Sequence, residues 1–253
     1  MNPLLPFLMA GDPSLEALPD LLAEARRLGI EAMELGLPHS DPIADGPALQ
    51  AAARRALARG ATPRRVLEAL AGITESPDLI LFTYLNPLLQ LGTERLLALL
   101  APTPVKALLV VDLPDGEEPE WVGALGAAGY PLVPLLAPTT SLARAESLLA
   151  ARPDPGAGCP FAQRFAYLVA RLGVTGTASV PDLAPVAGRL RDLRTLTDRP
   201  LAVGFGLSDP ESLQAVRALG ATPVVGSALV AEVAGGRPFG AALRDRLGPL
   251  PVG

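Results

Sequence analysis

The 253-residue chain has one cysteine, Cys159, and one histidine, His39. A lone thiol excludes an internal disulfide framework, and a lone imidazole cannot assemble the usual clusters that hold metal ions. Lysine is equally scarce: Lys106 is the only one, so arginine supplies the other 20 basic residues. No apolar run reaches the roughly eighteen residues that cross a bilayer, and the N-terminus carries neither a basic region nor a cleavage signature. The expectation is a cytoplasmic protein, neither exported nor inserted. With 21 basic against 26 acidic residues, a net charge of -5 and no basic cluster, nucleic acid and anionic membrane surfaces are poor partners. A small-molecule ligand is left as the default. The preference for arginine over lysine, together with 28 prolines, fits a thermally robust protein.

What is present is a regular alternation. Short apolar runs recur at Leu4 to Met9, Ala32 to Leu37, Leu79 to Phe82, Ala107 to Val111, Leu132 to Leu136, Phe165 to Val169, Leu201 to Val203 and Pro223 to Val225. Between them, spacings such as Leu18, Leu21, Leu22, Ala25 and Leu28 read as helices. Leu28-Gly29-Ile30, Ala128-Gly129-Tyr130 and Leu219-Gly220-Ala221 place a glycine where a left-handed helix cap is wanted, just before the next strand. Eight such βα units predict a single (β/α)8 TIM barrel spanning residues 1–253, although alternation alone does not separate a barrel from an open sheet. In a barrel the chemistry belongs at the carboxyl ends of the strands.

The run from Glu34 to Pro47, ELGLPHSDPIADGP, lies at one such end and carries three carboxylates. Glu34 belongs to the apolar stretch, where an ionisable group needs a partner or a task; Asp41 and Asp45 fall in the loop. A desolvated carboxylate is pushed toward its acid form and a solvated one stays ionised, so the pair can supply a proton donor and an anionic acceptor at one pH. For Asp41 a turn role stands level with a chemical one. His39 follows a proline and is expected to pack against the loop. Glycine turns at Gly173-Val174-Thr175-Gly176, Gly204-Phe205-Gly206 and Gly226-Ser227 follow late strands, where backbone N–H groups can hold a phosphate without lysine. Lys106 precedes the fourth strand, on the face opposite the chemistry, which excludes a Schiff base; one histidine cannot build a metal-dependent aldolase site. Carboxylate acid/base chemistry on a phosphorylated substrate remains, with a sugar-phosphate isomerase or epimerase and a non-catalytic binding module as competing readings.

These motifs, with Pro6-Phe7 to Gly11-Asp12-Pro13, Tyr84-Leu85-Asn86-Pro87 and Asp112-Leu113-Pro114, resemble the tryptophan synthase alpha subunit family over nearly the whole chain. The resemblance implies retro-aldol cleavage of indole-3-glycerol phosphate to indole and glyceraldehyde 3-phosphate, with no metal or organic cofactor in this subunit. It implies that Glu34 protonates indole C3 and shuttles the glycerol hydroxyl proton, and that Asp45 holds the indole N–H. Tyr167, Thr175, Gly176, Phe205, Gly206, Gly226 and Ser227 match substrate- and phosphate-binding positions, a packing role standing beside this for Tyr167. The loops after the second and sixth strands would close over substrate, Thr175 meeting Asp45. The resemblance also implies a beta subunit, which carries pyridoxal phosphate, in an α2β2 heterotetramer with allosteric coupling, with Asp41, Pro42, Asn86 and Pro114 facing it. The chain departs from the pattern in His39, where an aromatic is usual, in Ala170 and Leu172 flanking Arg171, in a segment from Arg152 to Pro160 that reads as an insertion, and in lacking the usual N-terminal extra helix.

Overall fold

Eight short parallel strands alternate with helices in the computed structural model, which describes residues 4–156, 158–169, 183–204 and 209–247. The strands are β1 (Leu5–Met9), β2 (Ala32–Gly36), β3 (Asp78–Thr83), β4 (Val105–Val110), β5 (Leu135–Leu136), β6 (Ala166–Val169), β7 (Leu201–Gly204) and β8 (Thr222–Val225). The helices are α1 (Leu18–Arg27), α2 (Pro47–Ala58), α3 (Pro63–Leu70), α4 (Leu85–Leu91), α5 (Thr93–Leu100), α6 (Pro119–Ala127), α7 (Leu142–Ala151), α8 (Phe161–Arg164), α9 (Ala184–Arg194), α10 (Pro210–Ala218), α11 (Ser227–Ala234) and α12 (Phe239–Leu247). The glycines foreseen as helix ends do that work. At Gly29, φ is +79°, Gly29 N–H bonds the Arg26 carbonyl at 3.0 Å and Ile30 N–H bonds the Ala25 carbonyl at 3.1 Å. This double bond pattern satisfies two carbonyls that the helix end would otherwise orphan. Gly129 and Gly220 repeat it.

The strands pair in the order β4-β3-β2-β1-β8-β7-β6-β5. Leu108 of β4 bridges to Leu132, donating to the Pro131 carbonyl at 3.1 Å and accepting from Val133 N–H at 2.8 Å, which closes the ring as a (β/α)8 TIM barrel. The fifth strand departs from expectation. The apolar run from Leu132 to Leu136 yields only a two-residue strand, because Pro134 sits inside it with no N–H to give a neighbour. Lys106 also lies within β4 rather than before it, still at the strand's N-terminal end.

Side chains alternate across each strand. One parity, including Leu4, Leu8, Met33, Leu35 and Leu81, packs outward against helices. The other fills the barrel with Leu5, Ala32, Ile80, Ala107, Leu109 and Ala202. The floor of this inner core is α8, which directly precedes β6 yet packs across the barrel on β2, β3 and β4. Ala162 and Phe165 join the inner core, and Phe161 stacks on Phe165 with ring centres 5.0 Å apart. Burial of one phenylalanine contributes about 1.5–3 kcal/mol. Asp154, in the segment that the sequence marks as an insertion, accepts two hydrogen bonds from Arg164 at 3.1 Å each and so ties that segment to α8.

Candidate active site

Above the inner core, the same inward parity changes character. Phe7, Glu34, Phe82, Val111, Tyr167 and Gly204 stand two positions beyond core residues of their own strands, and with Gly226 and Ser227 they line a cavity of about 290 Å3. One lining residue is acidic and strand-borne. Glu34 is 1% exposed, and its Oε1 has no hydrogen-bond partner among the described residues. Burial pushes its carboxyl up to about 8, so near neutral pH it is an acid with a proton to give. Tyr167 lies close enough to feel the Glu34 charge, and burial first, then that charge, hold its hydroxyl well above the ordinary range. A Cβ on Gly204 would fall 2.2 Å from the Tyr167 hydroxyl, so the tyrosine takes this position because its neighbour is glycine. Gly36 plays the same part for Phe7, whose ring tip lies 2.5 Å from where a Cβ would be.

The second carboxylate enters from the loop. Asp45 is half-buried on the cavity wall, and its Oδ1 accepts from the Tyr84 hydroxyl at 3.2 Å. That hydroxyl accepts in turn from Ala44 N–H at 3.0 Å, so one side chain fixes both the loop backbone and the carboxylate. Tyr84 is itself set by neighbours. His39, expected to pack against its loop, instead sets its ring centre 5.0 Å from that of Tyr84, and Asp112 Oδ1 accepts from Leu85 N–H at 2.7 Å, pinning the start of α4. Burial raises Asp45, opposed by the Tyr84 hydrogen bond and by His39. The contrast expected between the two carboxylates therefore survives in degree, with both lifted and Glu34 far more.

The third element is the corner where α11 begins. Gly226 precedes its first turn and Ser227 opens it, both on the cavity, and a Cβ on Gly46 would lie 4.0 Å from Ser227 Oγ. Backbone N–H groups at a helix start suit an anion. A buried acid, a tyrosine-tethered carboxyl group and a helix start that suits an anion thus line one cavity.

The profile described as "Tryptophan synthase alpha chain" matches residues 1–240. The chain belongs to the tryptophan synthase alpha chain family. It is 44% identical over 239 residues to the tryptophan synthase alpha chain of Prochlorococcus marinus, covering 93% of this chain and 82% of that one. With the alpha chain of Gloeobacter violaceus it shares 43% over 249 residues, 97% of this chain and 84% of the relative. Among solved structures, the tryptophan synthase A-subunit of the hyperthermophile Pyrococcus furiosus superposes with a TM-score of 0.83 at 30% identity, covering 98% of this chain and 99% of the other. A tryptophan synthase complex from the same organism gives 0.80 at 30% identity, covering 96% and 95%. The activity that goes with the tryptophan synthase alpha chain is the lyase reaction on indole-3-glycerol phosphate in tryptophan biosynthesis.

Of the alpha-chain positions singled out in the sequence, Glu34, Asp45, Tyr167, Gly226 and Ser227 meet in the cavity. Thr175, Gly176, Phe205 and Gly206 lie outside the described residues, as do Ala170, Arg171 and Leu172. Asp41 and Pro114 are exposed and Pro42 half-exposed, on the loops that follow β2 and β4, and exposed Asn86 lies in the first turn of α4, just past β3. They share that rim with Ile43, 86% exposed. The sequence places Tyr84 after the third strand, on the face of the chemistry and within the Tyr84-Leu85-Asn86-Pro87 motif, but gives it no role in the site. Its signal was position alone, one residue past the end of β3.

Proposed function

We propose that Glu34 and Asp45 carry the cleavage of indole-3-glycerol phosphate. The observation that supports this is a buried carboxylic acid, one oxygen of which has no hydrogen bond among the described residues, and a tyrosine-tethered carboxylate on the walls of one cavity. The protonated Glu34 gives its proton to indole C3, and the ring becomes an indolenine cation. Asp45 accepts a hydrogen bond from the indole N–H and stabilises that cation where it forms. Glu34, now a carboxylate, takes the proton of the hydroxyl on the carbon attached to C3. That oxygen becomes the aldehyde of glyceraldehyde 3-phosphate, the carbon–carbon bond breaks and its electrons restore indole. One proton is lent and one recovered, so Glu34 ends as it began.

The phosphate would rest on the N–H groups at Gly226 and Ser227, supplemented by Gly176, Phe205 and Gly206, with Thr175 meeting Asp45 when the loops close. Tyr167 would flank the reacting ring. Proton transfer between these groups needs neither metal nor organic cofactor. The partner is a tryptophan synthase beta subunit holding pyridoxal phosphate, in an α2β2 assembly that receives indole. Asp41, Pro42, Asn86 and Pro114 face it, and exposed Ile43 on the same rim offers it apolar area. The whole chain acts as one barrel domain. The proposed site of action is the cytoplasm; separately, no helix among the described residues is long and apolar enough to cross a membrane.

The deciding experiment is indole release from indole-3-glycerol phosphate, with and without beta subunit, for wild type and Glu34→Gln. Activity that the partner raises and the substitution abolishes is expected. Release that survives Glu34→Gln removes Glu34 from the chemistry.

A further inference from the structure

The turn that presents Asp45 is gripped from two sides. From within the barrel comes the Tyr84 hydroxyl; from the helix behind it comes Gln50. Gln50 lies in the first turn of α2 and reaches back to donate its Nε2 to the Asp45 backbone carbonyl at 2.9 Å, while its own N–H bonds the Gly46 carbonyl at 3.0 Å. The start of α2 has no side-chain cap of the usual kind, Gly46 and Pro47 occupying its first positions. A side chain anchoring a peptide is only as firm as its own support. Here the support is strong: Arg55 of the same helix donates two hydrogen bonds to Asp12, at 3.0 and 2.6 Å, with Arg59 at 3.6 Å from the same carboxylate. Asp12 is 8% exposed and follows β1, so α2 is fastened to the barrel wall.

We infer that Gln50 is a positioning residue for Asp45. It fixes the peptide from which the carboxylate projects, so that the carboxylate is aimed at the cavity before substrate arrives. The inference rests on the acid/base reading of Asp45 given above. Because that carboxylate stabilises a cation absent from the ground state, loss of its aim acts on turnover more than on substrate binding.

Two variants test this. Gln50→Met keeps the length and removes the donor; Gln50→Lys restores an N–H donor of similar reach. The expected result is a fall of about tenfold in kcat for indole release in Gln50→Met, KM changing by less than about twofold, with most of the loss recovered in Gln50→Lys. Amide hydrogen exchange read by NMR on the same proteins should show Ala44 N–H, which bonds Tyr84, losing protection in Gln50→Met and regaining it in Gln50→Lys. A kcat within about twofold of wild type in Gln50→Met, or an equal loss in both variants, overturns the inference. If the wild type itself releases no indole, the lyase reading fails, and unchanged Ala44 protection in Gln50→Met then overturns the positioning role separately.

Discussion

The two carboxylates of the cavity are held in opposite ways. Glu34 projects from the middle of β2, flanked by buried neighbours, with one oxygen left without a hydrogen bond among the described residues. Asp45 stands on a loop and is bonded at its carboxylate, at its carbonyl and through its neighbour Ala44. The strand supplies rigidity and takes water away; the loop supplies partners and keeps some water. The difference teaches how one fold gives the same functional group two acidities. Removing solvent raises a carboxyl, while donated hydrogen bonds and a nearby imidazole oppose the rise. An unpaired buried acid is costly, so its presence in a core position points to use rather than to packing.

The sharpest way to break the comparison is to remove the acid. Glu34→Gln is expected to lower kcat for indole release by about 10²–10⁴-fold, as loss of a general acid does. Asp45→Asn should cost about 10²-fold, since an amide still fits the indole N–H but carries no charge for the cation. Both proteins are expected to keep the wild-type circular dichroism spectrum; a larger loss in Asp45→Asn than in Glu34→Gln would reverse the ranking of strand and loop.

Acidity gives the next test. Because Glu34 must begin protonated, kcat should fall about tenfold per pH unit above about 8 in the wild type. The same shift has a stability consequence. Its folded pKa of about 8 exceeds its ordinary value of 4.5, so the folded state holds the extra proton between those values. Stability is full below about 4.5 and is lost as pH rises through about 8, on the order of a few kcal/mol in all. Urea titrations at both ends of that window should show Glu34→Gln gaining on wild type as pH rises. A constant gap would mean that burial does not set the Glu34 acidity.

The smallest effect belongs to the tether. Tyr84→Phe keeps the ring that packs on His39 and removes the hydroxyl, leaving Ala44 N–H and Asp45 each without that partner. A loss of about 0.5–1.5 kcal/mol per hydrogen bond predicts a fall of about three- to tenfold in kcat, with a small drop in melting temperature. No change in kcat would show that the loop holds Asp45 without Tyr84.

Much of this was legible in the chain. The barrel follows from eight apolar runs spaced by helical patterns and from glycines at helix ends, because burial and backbone conformation are local demands written residue by residue. Glu34 was legible because a charge in an apolar strand is out of place, and Asp45 through its loop chemistry. What stayed hidden depends on distant partners. Tyr84 reaches Asp45 across 39 positions, and nothing in Tyr-Leu-Asn-Pro says where its hydroxyl points. The shortness of β5 was readable in Pro134 in hindsight, but the bridge from Leu132 to Leu108 is a property of the closed ring. The segment from Arg152 to Pro160 reads as an insertion, and its role in leading α8 under the barrel is visible only in three dimensions.

That floor also sets a timetable. The inner faces of β2, β3 and β4 are complete as sequence by residue 110, but the helix that covers them from below arrives some fifty residues later. On a ribosome the first half of this barrel emerges with its lower end uncovered, and contacts that span so many positions form slowly. The short helix Phe161–Arg164 is thus a latch as well as a floor: until it is made, three strands wait with their apolar side chains open to whatever else is nearby.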